Sequence, residues 1–87
     1  MRSDTLPSFW ASYHSLDENA RKLARKTYRI WVDNPFHPSL HFKCIDSADN
    51  VWAVRISRNC RALGVWEGQR FTWFWIGSHD EYERFYS

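Results

Sequence analysis

The segment Val51–Tyr82 constrains the fold of this chain more than any other. It consists of three apolar runs separated by two short polar breaks, and it holds four of the six tryptophans. Short runs rich in β-branched and aromatic residues, bounded by turn-forming residues, are typical of strands joined by hairpins. The segment therefore predicts three antiparallel strands. Their expected ranges are Val51–Ser57, Cys60–Trp66 and Arg70–Ile76, with a hairpin tip at Arg58-Asn59.

Two helices are predicted ahead of this segment. Apolar residues recur every three or four positions over residues 6–16, which predicts a helix of about three turns with Ser3 and Asp4 as candidate N-caps. Asp17 is placed to cap a second amphipathic helix over Glu18–Val32. A short break between two helices is typical of a helical hairpin.

One more strand and one more helix complete the pattern. Leu40–Ile45 alternates between apolar and polar residues, as a strand does, and Ser78 can cap a final short helix. The predicted fold class is therefore α+β. The chain is expected to form one domain over residues 1–87, with a helical hairpin packed on a four-stranded antiparallel sheet and a short C-terminal helix.

The chain is short but rich in aromatic residues. A chain of 87 residues is near the lower limit for a self-sufficient core, and its 18% aromatic content compensates for that.

The sequence has neither a signal-peptide pattern nor a membrane-spanning apolar run, so a cytoplasmic protein is expected. Cys44 and Cys60 lie in apolar runs and are expected to be buried thiols; a disulfide remains open if the first and third predicted strands lie close together.

The positive charge is concentrated although the net charge is only +2. Nine of the twelve basic residues are arginine, which favours bidentate binding of phosphate or carboxylate. One face of the second helix is basic. This face is either an ordinary solvated surface or a surface that attracts RNA or an acidic protein electrostatically. The residues of that face are Arg21, Lys22, Arg25, Lys26 and Arg29.

A register question decides whether two arginines of the sheet can act together. Arg55 and Arg61 flank the tip around Asn59. They share a face of the sheet only if the tip holds an odd number of residues, or if a β-bulge supplies the extra one. A strict two-residue turn would place them on opposite faces. The sequence leaves both arrangements open.

Several segments together resemble a known family. They are Asn34-Pro35, Pro38-Ser39-Leu40, Phe42-Lys43, Trp52–Ile56, Arg61-Ala62-Leu63 and Trp75–Tyr82. In this order of elements they resemble the RelE/ParE toxin superfamily of bacterial toxin–antitoxin systems, and most of all its small RelE-, HigB- and YoeB-like toxins. The resemblance covers about the whole chain, and its most specific parts are the Arg61 strand and the Gly77–Tyr82 end.

The resemblance implies a function and a set of partners. Toxins of this kind are ribosome-dependent mRNA endonucleases that act in the 30S A site, inhibit translation and are blocked by a cognate antitoxin. A toxin–antitoxin hetero-oligomer is therefore expected. The alternative is a non-nuclease member of the same fold, either a ParE-like gyrase inhibitor or an inactive protein-binding domain. Because well-studied RelE members carry several lysines on the central strands and this chain does not, the alternative stays open.

The resemblance also implies the site residues. Arg61 and Arg55 would bind the scissile phosphate, and His79 or Tyr82 would act on the attacking or leaving oxygen. Lys43 and the tip residue Arg58 are weaker candidates for RNA binding.

The residue types present suit a known chemistry. RNA can be cut without metal when its own 2′-hydroxyl attacks the phosphate, which requires a base, an acid and cations around the phosphate. Histidine suits the proton transfers and arginine the phosphate. No group of acidic or histidine residues has metal-ligand spacing, so no metal and no cofactor are expected. The structural alternatives are that Arg61 pairs with Glu67 and that Tyr82 is a core residue of the last helix.

Overall fold

The computed structural model describes residues 2–86 and contains a mixed sheet with helices on both sides. Its strand order is β1-β5-β4-β3-β2, and all neighbours are antiparallel except β1 and β5. The α+β class is confirmed. The elements are β1 (Arg2–Thr5), α1 (Pro7–His14), α2 (Glu18–Asp33), a 3-10 turn (Pro38–Leu40), β2 (Lys43–Asp46), β3 (Val51–Ser57), β4 (Cys60–Glu67), β5 (Arg70–Ser78) and α3 (His79–Tyr86).

The strand β1 was missed by the sequence analysis, which predicted four strands. Ser3 and Asp4, expected to cap the first helix, lie instead in β1 and pair in parallel with Phe71 and Thr72 of β5. This segment is polar and four residues long, so no alternation marks it as a strand. Its strand conformation depends on backbone hydrogen bonds to the open edge of β5. The first helix then begins at Pro7, without a side-chain cap, and spans eight residues instead of three turns.

The second helix forms as predicted. The Asp17 side chain accepts a hydrogen bond from the Ala20 N–H at 2.8 Å, which satisfies one of the free donors of the first turn. The helix ends at Asp33, and its buried residues are Ala24, Thr27 and Trp31. Trp31 is fully buried and anchors the helix to the sheet.

The sheet is covered on both faces. Aromatic rings of Trp31, Phe42, Phe71 and Trp73 form the core between the helical hairpin and the sheet, with Trp31 and Trp73 centroids 5.0 Å apart. Buried aromatic rings remove about 150–250 Å² each from water, so a few of them supply a dense core for so short a chain. The opposite face carries a smaller cluster around Ala53, Leu63 and Tyr82, to which α3 contributes.

Of the two cysteines expected to be buried, one is buried and one is not. Cys60 is buried at the start of β4, but Cys44 is exposed. Cys44 lies on β2, an edge strand whose pairing begins only at Lys43, so the predicted alternation from residue 40 does not hold. Both thiols are free. Since β3 separates their strands, they are at least roughly 9–10 Å apart, which is too far for a disulfide.

Candidate active site

A β-bulge brings the two sheet arginines onto one face. Ser57 pairs with Cys60 around the two-residue tip, but the next pair is Arg55 with Arg61, which leaves Ile56 as the extra residue on β3. Directly opposed residues of an antiparallel pair project from the same face, with Cβ atoms roughly 4.5–5.5 Å apart. Of the two arrangements left open by the sequence, the structure has the one in which a β-bulge places Arg55 and Arg61 on the same face.

Arg61 is held in place by the hairpin that precedes it. Its Nη1 atom donates to the carbonyl oxygens of Ser57 and Cys60, the latter at 3.0 Å. Guanidinium groups have five N–H donors, so the Nε and Nη2 groups remain available for a ligand. Burial lowers the pKa of Arg61, and the neighbouring Arg55 charge lowers it further. Two cations on one face favour binding of an anion, although the Glu83 charge offsets part of their field.

The start of α3 is docked on this hairpin. The His79 N–H donates to the Asn59 carbonyl at 2.8 Å, so the first residue of the helix is tied to the tip between the two arginine strands. Ser78 and Glu81 cap the helix reciprocally: the Glu81 N–H donates to Ser78 Oγ at 3.1 Å, and Ser78 Oγ donates to Glu81 Oε1 at 3.1 Å. The predicted cap at Ser78 is confirmed.

His79 has a partner within its own helix. Its Nε2 atom lies 2.9 Å from Oε1 of Glu83, one turn later. A carboxylate at this distance holds the proton on Nε2, which leaves Nδ1 as the nitrogen free to meet a ligand. The His79 ring also lies 6.0 Å from the Tyr82 ring, measured between centroids.

Tyr82 is largely a core residue. Only 8% of its surface is exposed, and it belongs to the cluster beneath α3. A ring so buried cannot offer a face for a base to stack on, so the hydroxyl is the part that can act. Burial raises the pKa of Tyr82, and the nearby Glu83 charge raises it further. The hydroxyl is therefore a neutral hydrogen-bond donor at physiological pH.

These side chains share one pocket of about 190 Å³. It brings together five of the six residues singled out from the sequence. Its lining residues are His41, Lys43, Ala53, Val54, Arg55, Arg61, His79, Tyr82 and Glu83. The sixth, Arg58, lies outside on the exposed hairpin tip, where its carbonyl accepts from Arg61 at 3.4 Å. Glu67 does not pair with Arg61; it lies at the far end of β4, opposite Arg70.

Two polar side chains of the pocket were not predicted as site residues from the sequence. Glu83 lies four residues after His79, and this spacing on a predicted helix would have indicated the pair. His41 was treated as an ordinary strand residue, but it lies before β2 in a left-handed conformation. No local sequence pattern predicts this position, because it depends on how the loop before β2 folds. Within residues 2–86, no three acidic, histidine or cysteine side chains are grouped to hold a metal ion.

A second, larger groove of about 1110 Å³ lies along the boundary between the helical hairpin and the sheet. Apolar side chains of α1 and α2 line it, among them Phe9, Trp10 and Tyr28. Trp10 and Tyr28 are each 44% exposed, although they are large and aromatic. No helix within the described part of the chain is long and apolar enough to cross a membrane.

Comparison with known proteins identifies the family. The sequence pattern of the ParE-like toxin domain matches residues 18–84. The chain belongs to this family. Membership of the RelE/ParE toxin superfamily, inferred from the resemblance, is thereby confirmed. No curated protein sequence matches the chain significantly.

Solved structures of RelE/ParE toxins share the fold. A YoeB/ParE toxin from Agrobacterium tumefaciens has a TM-score of 0.69 at 19% identity, over 91% of this chain and 99% of that one. YafQ from E. coli has a TM-score of 0.75 at 7% identity, over 94% and 98%. RelE in an archaeal RelE–RelB complex from Pyrococcus horikoshii has a TM-score of 0.68 at 10% identity, over 88% and 92%. At these identities the likeness shows the toxin fold.

Proposed function

We propose that this protein is the toxin of a type II toxin–antitoxin system and that it cuts mRNA on the ribosome, in the 30S A site, without a metal. The observation that carries the proposal is the pocket in which Arg55, Arg61, His79 and Tyr82 meet. It contains a phosphate clamp, a group for proton transfer and a neutral donor, which are the parts needed for attack by a 2′-hydroxyl. The RelE/ParE fold supports the ribosome as the place of action.

Each residue has a role in the proposed reaction. Arg55 and the free Nε and Nη2 groups of Arg61 bind the non-bridging oxygens and stabilise their charge as the 2′-oxygen attacks. His79, oriented by Glu83, transfers a proton through Nδ1. The Tyr82 hydroxyl donates a hydrogen bond to a phosphate oxygen. The products are a 2′,3′-cyclic phosphate and a free 5′-hydroxyl.

Lys43 and Arg58 are proposed to contact RNA outside the reacting phosphate. Lys43 is exposed on the edge strand β2 and lines the rim of the pocket. Arg58 is exposed on the hairpin tip. At these places their charges can meet neighbouring phosphates, where each contact adds affinity that weakens with salt.

The larger groove supports an antitoxin partner. One related structure is a RelE–RelB complex, and here the exposed Trp10 and Tyr28 lie in an open apolar groove. Three arginines and two carboxylates line this groove, so its charge is slightly positive and an acidic, amphipathic segment of an antitoxin would complement it; they are Arg25, Arg29, Arg70, Asp4 and Glu67. The experiment is co-purification with the product of any small reading frame that lies next to the gene. A Trp10→Arg variant should lose the partner, whereas Phe85→Arg, on a still more exposed ring outside the groove, should keep it.

A second candidate is a binding protein of the same fold that acts on gyrase or another target without cutting RNA. Two observations favour it: the Nη1 atom of Arg61 is used to brace the hairpin, and Tyr82 is mainly a core residue. The matching sequence pattern is also that of the ParE-like domain. In this case the pocket residues have structural roles only.

Brief induction followed by primer-extension mapping of cellular mRNA separates the two candidates. We expect growth arrest with cuts confined to translated regions, and relief by His79→Ala and Arg61→Ala. Arg84→Ala, which removes an exposed arginine in the last turn of α3 outside the pocket, is the control and should stay toxic. Growth arrest without mRNA cleavage, or full toxicity of the His79 and Arg61 variants, would exclude the nuclease and favour the binding protein.

A further inference from the structure

His41 occupies an unusual backbone position beside the candidate active site. It has φ 47° and ψ 40°, the left-handed region, at the end of the 3-10 turn Pro38–Leu40. This conformation costs a residue other than glycine roughly 1–2 kcal/mol and persists only where the surroundings enforce it. Here the flanking residues enforce it, since Leu40 is 1% and Phe42 is 8% exposed. The backbone of His41 is therefore anchored on both sides, while its side chain is exposed.

The His41 side chain lines the same pocket as Arg55, Arg61 and His79. Within residues 2–86 its ring nitrogens make no hydrogen bond, in contrast to His79, whose Nε2 is engaged by Glu83. An exposed imidazole with both nitrogens free, in a pocket that also holds two arginines, can contact a phosphodiester bound by those arginines. The two histidines reach the pocket from different elements, His41 from the loop before β2 and His79 from α3.

Cleavage through a 2′-hydroxyl needs two proton transfers. A base removes the proton from the 2′-oxygen as the O2′–P bond forms, and an acid protonates the 5′-oxygen as the P–O5′ bond breaks. One histidine with a single free nitrogen cannot reach both oxygens, which lie on opposite sides of the phosphorus. Tyr82 cannot serve as the base for the other oxygen, because burial raises the pKa of its hydroxyl and keeps it protonated.

We propose that His41 is the second proton-transfer residue of this pocket, acting on the oxygen opposite to the one that His79 serves. The proposal rests on the nuclease activity proposed above. The two histidines then divide the reaction: one accepts the proton of the 2′-hydroxyl, the other gives a proton to the 5′-oxygen, and water exchanges both afterwards. The phosphorus is held between them by Arg55 and Arg61.

The test is cleavage of ribosome-bound mRNA by purified variants, at the site mapped by primer extension. His41→Asn is the main variant, since asparagine tolerates the left-handed conformation but transfers no proton. His14→Asn, in the exposed last turn of α1, is the matched control. We expect His41→Asn to lower the single-turnover rate by about 10²–10⁴-fold, as general acid–base groups do. The His14 variant should cut at the wild-type rate, and circular dichroism checks that both fold.

A second substrate assigns the two roles. In it a sulfur atom replaces the bridging 5′-oxygen, so that the leaving thiolate needs no acid. We expect this substrate to restore the rate of one variant only, either His41→Asn or His79→Gln, because only one histidine is the acid. Rescue of both or of neither would overturn the proposal, as would a His41→Asn variant that cuts oxygen-bridged mRNA normally. If the wild-type protein cuts neither substrate, the nuclease function itself is wrong.

Discussion

His79 Nε2 and Glu83 Oε1 lie 2.9 Å apart across one turn of α3. Because both residues belong to the same helix, their spacing is set by the backbone and does not depend on how the sheet packs. Their side chains are 39% and 47% exposed, so water weakens the charge interaction between them. The pair therefore orients the imidazole more than it stabilises the fold.

The first prediction separates orientation from proton transfer. His79→Gln should lower mRNA cleavage by about 10²–10⁴-fold, since it removes the transferring group. Glu83→Gln should lower it by no more than about fivefold, because exposed ion pairs contribute roughly 0.2–1 kcal/mol. Single-turnover rates measure both. Asp80→Asn is the control, since it removes an equal charge from the first turn of α3 outside the pocket; a loss like that of Glu83→Gln would show a general charge effect.

The second prediction concerns the opposed arginines. Arg61→Ala should lower the free energy of unfolding by about 1.5–3 kcal/mol, because charged hydrogen bonds to the hairpin carbonyls are lost. Arg55→Ala should change it by less than about 0.5 kcal/mol, since the Arg55 side chain makes no hydrogen bond or ion pair within residues 2–86, and its backbone pairing is kept in the variant. Urea unfolding measures both. Equal destabilisation by the two variants would contradict the bracing role of Arg61.

The third prediction concerns thiol reactivity. Cys44 is exposed, whereas burial raises the pKa of Cys60 to about 11. At pH 8 a disulfide reagent should therefore modify Cys44 quickly and Cys60 only after unfolding, because the thiolate is the reactive form. Counting released reagent with and without denaturant tests this. In a Cys44→Ser variant the fast reaction should disappear, and rapid labelling of that variant would mean that Cys60 is accessible.

The same pKa shift predicts a pH dependence of stability. The pKa of Cys60 is raised from 9.0 to about 11 on folding, so the unfolded chain ionises first. The contribution of Cys60 is fully present below pH 9 and is lost as the pH rises to about 11. Burial of Tyr82 and Tyr86 raises their pKa values and acts in the same direction at higher pH. A Cys60→Ala variant should therefore show a shallower decline over pH 9–11, measured by urea unfolding.

The fourth prediction tests the packing of the sheet against the aromatic core. A Cβ atom at Gly64 would overlap the ring of Phe71 and lie 2.8 Å from the Thr72 carbonyl oxygen. Gly64→Ala should therefore destabilise the protein by about 1–3 kcal/mol or more, as overpacked cores do. Gly68→Ala is the control, with no atom within 4 Å and a φ of +62°, and it should cost only about 1–2 kcal/mol in backbone strain. Thermal unfolding compares them; equal effects would show that the ring moves aside.

Local patterns were sufficient for much of the fold. The cap at Asp17, the basic amphipathic helix that follows it, and the strands between Val51 and Ile76 were predicted because each depends on residues close in sequence. The strand β1 could not be predicted, since its polar residues form a strand only against β5. The exposure of Cys44 was missed for a related reason, because a turn at His41 interrupts the alternation.

The sequence by itself determined which chemistry this protein can offer: arginines on adjoining strands, and a histidine and tyrosine at the start of a capped helix. Tertiary structure decided which of them meet. The extra residue at Ile56 sets the register of Arg55 against Arg61, and the loop before β2 brings His41 to the same pocket. Strand register and loop placement depend on packing between segments far apart in the chain, so no local pattern contains them.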